Sequence, residues 1–140
     1  MLRKIFKSRT IINTKIAPQP LGLYSQAVKS NKNELIFISG QVGVDINGKL
    51  VGENDVYQQT IQTFKNIELI INSQGADLRD ILEFTTYLVG KNSIKPFLDA
   101  RKEVFVNHFS NNDYPANTLL VVESLVSDEF LVEIKAVGIL

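Results

Sequence analysis

Which chemistry this chain of 140 residues can carry is decided first by what it lacks: it has no cysteine and one histidine, His108. Thiol catalysis, disulfides and thiolate metal sites are excluded, and a histidine cluster around zinc cannot be built within one chain. What remains is a small set of carboxylates, phenols, hydroxyls and cations. In the run Phe130 to Leu140, the residues Phe130, Val132, Ile134 and Ala136 alternate with Leu131, Glu133, Lys135 and Val137. On a strand, that places Glu133 on a mixed second face, where by itself it reads as an exposed acid. Arg101 interrupts an apolar helical stripe, four residues after Phe97 and three before Val104, so it points toward the sheet or a subunit boundary. Two readings of it stand: the guanidinium enters a cleft, or its stem lies along apolar surface with the tip in solvent. His108 shares that stripe beside Phe105 and Phe109 and reads as a packed or partly exposed ring.

The elements that must position these side chains follow from periodicity and punctuation. Thr10 to Thr14 is a β-branched run that reads as a strand, and Pro18 to Gly22 cannot continue it, because proline lacks the ladder donor. Tyr24 to Lys29 leads through the polar turn Ser30 to Asn33 into the apolar strand Leu35 to Ser39, and Asn47-Gly48 marks a turn that tolerates positive φ. Beyond Asn54 the period becomes helical: Tyr57, Ile61, Phe64, Ile67 and Ile71 share a stripe, with Asn54 placed to cap its start and Gly75 to end it. Ile81 to Val89 is a strand, and Ile94, Phe97, Leu98, Val104, Phe105 and His108 recur at the spacing of a second helix. Thr118 to Leu125 and Phe130 to Leu140 complete the chain as strands joined by Ser127, Asp128 and Glu129. The order ββαβαββ is an α+β layout in which two helices cover one face of a four- to six-stranded sheet. The mixed second face of the last strand calls for burial against another subunit, so a homo-oligomer is expected. No repeat, low-complexity stretch or linker divides the chain, and the expectation is a single domain over residues 11–140 behind a basic extension over residues 1–10.

Fifteen basic and fifteen acidic residues cancel, which leaves no overall field toward nucleic acid or anionic membrane. No apolar run approaches the length needed to cross a bilayer. A soluble protein without nucleic-acid or membrane partners is expected. The exception to the balance is the head of the chain: Arg3, Lys4, Lys7, Arg9, Lys15, Lys29 and Lys32 all precede the first acid, Glu34. Met1 to Arg9, with Leu2, Ile5 and Phe6 between the charges, reads either as a short mitochondrial targeting segment or as a solvated tail before the first strand. The expected location is accordingly cytoplasmic or mitochondrial.

Four segments, in order, carry a resemblance that covers roughly residues 11 to 139: Ile16-Ala17-Pro18-Gln19-Pro20-Leu21-Gly22-Leu23-Tyr24-Ser25-Gln26-Ala27, Ile38-Ser39-Gly40-Gln41, Tyr114-Pro115-Ala116-Asn117-Thr118 and Val132-Glu133-Ile134-Lys135-Ala136-Val137. Together they resemble the signatures of the RidA/YjgF family, with Leu23 where a proline is more usual. The resemblance implies a chorismate-mutase-like α+β domain, assembled as a homotrimer with clefts between subunits, each lined by two chains. It also implies hydrolysis of short-lived enamines and imines to 2-oxo acids and ammonia, on a small-molecule substrate and without metal or organic cofactor. Such a reaction needs the substrate carboxylate held, its nitrogen protonated and a water directed at the imine carbon. Carried over by position, Glu133 matches the family's water-orienting acid, Tyr24 a ring and hydroxyl lining the cleft, and Ser39 with the Gly40 backbone a polar wall.

One position departs from the family pattern. Where its imine deaminases place an arginine that grips the substrate carboxylate, this chain has Asn117. A hydrogen bond to a charged group contributes about 1.5 to 3 kcal/mol. At about 1.4 kcal/mol per tenfold, exchanging a two-pronged guanidinium for a neutral amide can exceed about a hundredfold in affinity. A substitute cation is expected from the second helix: counting from Phe97 places Arg101 at a cleft-lining position, and counting from Phe105 places Lys102 there. A non-catalytic trimer that binds a small molecule or a partner in the same clefts is the rival reading; Asn117 favours it, while Glu133, Tyr24 and Ser39 oppose it. Ribonuclease activity, an older label on some relatives, fits poorly with one packed histidine and zero net charge.

Overall fold

The computed structural model describes residues 8–16, 19, 22–110 and 112–140. A two-stranded antiparallel sheet is made by β1 (Arg9–Ile12) and β2 (Ala27–Ser30). The main sheet has four strands, β3 (Leu35–Val42), β4 (Ile81–Val89), β5 (Ala116–Val122) and β6 (Val132–Ile139), in the order β3-β6-β4-β5. Helix α1 (Val56–Asn72) lies between β3 and β4, and α2 (Ile94–His108) makes the crossover that a parallel β4–β5 pair requires. The expected α+β layout with two helices on one face is therefore present. One refinement is β2, which adds a strand ahead of α1 by pairing with β1.

Local chemistry explains the boundaries. Asp55, one residue after the expected Asn54, caps α1: its side chain accepts a hydrogen bond from the Gln58 amide at 3.0 Å. Asn54 instead takes a left-handed conformation with φ of 55°, where asparagine is among the better-tolerated residues. At the other end the helix closes at Ser73, and Gly75 follows with φ of 78°.

The helices bury one face of the sheet. Phe84, Thr86 and Leu88 of β4, Val132, Ile134 and Ala136 of β6, and Ile38 of β3 are all buried. Over them sits a group of rings, with Phe64 edge-on to Phe84 at 5.4 Å and to Phe105 at 5.6 Å. Rings this deep each stabilise the fold by about 3 to 5 kcal/mol relative to alanine. The opposite face is mixed, as the alternation of β6 predicts: Phe37 is 74% exposed and Leu120 45%, alongside Glu133 and Lys135.

Arg9 belongs to the packed structure. Its guanidinium donates to the carbonyls of Ile81 and Asp113 and lies 5.5 Å from the Phe109 ring, tying β1 to the start of β4. Residues 1–7 of the basic head, and Ala17, Pro18, Pro20 and Leu21 of the first signature, lie outside the described residues.

Candidate active site

The residues singled out by sequence form two groups within one chain, on opposite faces and toward opposite edges of the main sheet. The first is built on β3 and β6. Glu133 alternates with buried Val132 and Ile134 and so projects from the face that the helices leave open. It pairs across β6–β4 with Tyr87 and across β6–β3 with Val42. Between Ile38 and Gln41 the β3–β6 register shifts, a bulge of the kind that re-aims side chains beside functional sites. Ser39 and Gly40 are at that bulge and exposed. The Glu133 side chain occupies the space a side chain on Gly40 would need: a Cβ there would lie 2.8 Å from its Cδ and Oε1.

Polar side chains of α1 hold this group in place. Gln59, fully buried, donates through Nε2 to the carbonyls of Gly52 and Glu129, both at 3.0 Å, and accepts at Oε1 from the Leu131 amide at 2.9 Å. Asn66 donates to the carbonyls of Val42 at 3.1 Å and Val44 at 2.8 Å. The two amides thus fix the end of β3 and the entry to β6, the two strands that carry Gly40 and Glu133. Sequence reasoning missed both. The available signal was the spacing of Gln59, Gln62 and Asn66, which puts three amides on one helix face.

The second group lies on the helix-covered face at the β5 edge. Ser25 fastens the loop before β2 to the segment before β5: its hydroxyl donates to the Tyr114 carbonyl, and its amide donates to the Pro115 carbonyl at 3.0 Å. That brings half-buried Tyr24 next to Arg101. A Cβ on Gly22 would meet Arg101 Nη2 at 3.6 Å and the Tyr24 ring at 3.9 Å. Asn117, opposite Phe84 in the parallel β4–β5 pair, shares this face, and Thr86 donates to its Oδ1 at 3.4 Å.

Of the two cations weighed on α2, Lys102 is exposed and Arg101 is buried, with 5% of its surface accessible. The Arg101 guanidinium lies 5.5 Å from the Phe97 ring and 5.8 Å from the Phe105 ring. Its Nε is buried with no hydrogen-bond partner, and the ion pairs among the described residues do not include it. Burial pushes its pKa down from the ordinary arginine value, while the nearby phenols of Tyr24 and Tyr114 act in the opposite direction. Tyr114 stacks on Phe105 with centroids 5.9 Å apart, so aromatic rings surround the cation. His108 takes no part: its ring bridges the helices, with Nδ1 at 2.8 Å from the Val104 carbonyl and Nε2 at 3.0 Å from Glu68.

Residues 14–140 match the family model described as Endoribonuclease L-PSP. A RutC family protein of Pyrococcus horikoshii is 33% identical over 130 residues, covering 93% of this chain and 97% of its own. The human protein named 2-iminobutanoate/2-iminopropanoate deaminase is 30% identical over 131 residues, covering 94% and 90%. Among solved structures, YyfB of Yersinia pestis, described as a conserved Rid family protein of unknown function, superposes with a TM-score of 0.84 at 29% identity, over 95% of this chain and 99% of that one. E. coli TdcF with bound serine superposes at 0.69 with 26% identity, over 93% and 98%. Together with the four sequence signatures, these likenesses place the chain in the RidA family.

Proposed function

We propose that this protein hydrolyses small enamines or imines to 2-oxo acids and ammonia, in clefts formed between copies of the chain in a closed homotrimer. The observation that carries the reading is the Glu133 carboxyl group folded over Gly40 on the open face of the sheet, at an edge remote from Tyr24 and Asn117. One chain supplies two incomplete halves. A head-to-tail contact, in which the β5 edge of one copy meets the β3–β6 region of the next, completes a cleft, and a cyclic arrangement repeats it without leaving an end. Exposed Phe37 and Leu120 give that contact apolar surface to bury.

In such a cleft Glu133 orients a water toward the imine carbon and accepts its proton as the new C–O bond forms. That proton passes to the nitrogen to give a carbinolamine; the proton of its hydroxyl then moves through Glu133 to the same nitrogen as the C–N bond breaks, so that ammonia leaves and the C–O bond becomes a carbonyl. Tyr24 supplies a ring wall and a hydroxyl, the Ser39–Gly40 backbone a polar surface, and Asn117 a neutral amide. Support for the substrate class comes from the human and Dermatophagoides farinae relatives named as 2-iminobutanoate/2-iminopropanoate deaminases. The serine held by TdcF supports a small molecule as ligand.

The test is ammonia release from enamines generated in situ by a threonine or serine dehydratase. Release by the wild type that Glu133→Gln reduces at least a hundredfold is expected, a loss of the size that removal of a positioned acid–base group brings, about 10² to 10⁴. A wild type with no release at all would favour a binding protein, the reading to which Asn117 points.

A further inference from the structure

We infer that the Arg101 guanidinium is the binding point for a small planar carboxylate, a 2-oxo or 2-imino acid, on the α2 side of the sheet. Three observations meet there. The side chain is 95% removed from solvent, yet its Nε has no hydrogen-bond partner and no carboxylate pairs with it among the described residues. Arginine keeps its charge under nearly all conditions, so a buried guanidinium calls for an anion rather than for neutralisation. The rings of Phe97 and Phe105 lie 5.5 and 5.8 Å from Cζ. They attract the cation but offer its N–H groups no oxygen or nitrogen acceptor. A guanidinium edge carries paired N–H groups whose geometry matches a carboxylate. Finally, Nη2 is only 3.6 Å from where a Cβ on exposed Gly22 would be, so the cation is one atomic layer beneath the surface at a residue with no side chain to close the way.

The walls set the class of ligand. Phe97 and Phe105 offer rings, and Tyr24 and Tyr114 lie near enough to act on the charge of Arg101. No second cation is among these groups, so a monocarboxylate fits and a dicarboxylate or phosphate does not. Relative to a grip carried on β5 at position 117, the anion is moved from the sheet to the helix. A longer reach between carboxylate and reacting carbon then suits the cleft. The choice of an oxo or imino acid rests on the proposed deaminase reading; the anion site itself does not.

Calorimetric titration of the intact oligomer with 2-oxobutanoate separates the two. The wild type is expected to bind it and not butanone, the same skeleton without the carboxylate. Arg101→Gln is expected to weaken binding tenfold to a hundredfold, about the contribution of a charged hydrogen bond. Arg101→Lys, which keeps a cation and so reports on folding, is expected to bind with intermediate affinity. Equal binding by Arg101→Gln, or binding of butanone as tight as that of the acid, overturns the inference. So does a wild type that binds no 2-oxobutanoate while Arg101→Gln dissociates the oligomer, since the cation would then be satisfied by a carboxylate of a second copy. A protein that binds 2-oxobutanoate through Arg101 but releases no ammonia from enamines retains this site and loses the catalytic reading.

Discussion

The Glu133 carboxyl group rests against the α-carbon of Gly40, at a distance that leaves no room for even a methyl group between them. The atoms that a Cβ would strike are the far end of a flexible side chain, with Cγ at 3.0 Å and Cδ and Oε1 at 2.8 Å. Gly40→Ala therefore has an inexpensive escape, a swing of the carboxyl group away from the strand. The expected result is a melting temperature within a few degrees of the wild type, as for changes below about 1 kcal/mol. Ammonia release should fall by about a hundredfold, the effect of misplacing a catalytic group by an ångström. Thermal unfolding and the coupled dehydratase assay, run on one preparation, check both halves.

Gln59 makes the opposite prediction, since it supports the site through the backbone. Replacing it by leucine leaves the Gly52 and Glu129 carbonyls and the Leu131 amide without their partner. An unsatisfied buried group costs about 1 to 3 kcal/mol. Gln59→Leu should lose at least about 2 kcal/mol in urea unfolding and lower activity along with stability. Unchanged stability would show that the loop from Glu129 to Leu131 is held by other contacts.

Arg101 should behave in the reverse sense to a structural residue. An unsatisfied buried polar group costs about 1 to 3 kcal/mol, more when it is charged, and exchange for an apolar side chain of similar length removes that cost. Arg101→Met is expected to raise the unfolding free energy of the ligand-free protein while removing carboxylate binding. A destabilised Arg101→Met would mean that the guanidinium is already satisfied in the folded protein.

How much of this was legible in the sequence depends on whether a signal was local. β4, Ile81–Val89, matches its expected span, because nine residues of β-branched and aromatic character between turns leave little choice. The stripes of both helices were readable in the same way, down to the burial of Phe64, Ile67, Ile71, Phe97 and Phe105, except that Leu98, counted on the second stripe, is 39% exposed. β2 was not, because its partner β1 lies across a proline-containing segment and the four residues Ala27–Ser30 carry no periodic signal of their own. For the site, strand alternation set Glu133 on the open face, and helical spacing turned Arg101 inward. Which of Arg101 and Lys102 turns inward depends on the anchor residue, since a one-residue shift along a helix rotates a side chain by about 100°; Arg101 is the one buried, against Phe97 and Phe105, and Lys102 is exposed. The amides of buried Gln59 and half-buried Asn66 went unread because their partners are backbone carbonyls and an amide on distant segments.

The claim on which the account turns is that a working cleft takes Glu133 from one copy and Tyr24 from another, and subunit mixing tests it most directly. Glu133→Gln and Tyr24→Ala, each expected to be inactive by itself in the proposed homotrimer, are refolded together in equal amounts and assayed for ammonia release. In a cyclic trimer with random mixing, a cleft receives both intact halves in one case out of four, so recovery to roughly a quarter of the wild-type rate is predicted. Mixed trimers as inactive as either parent would contradict the account, because both residues would then have to act within a single chain.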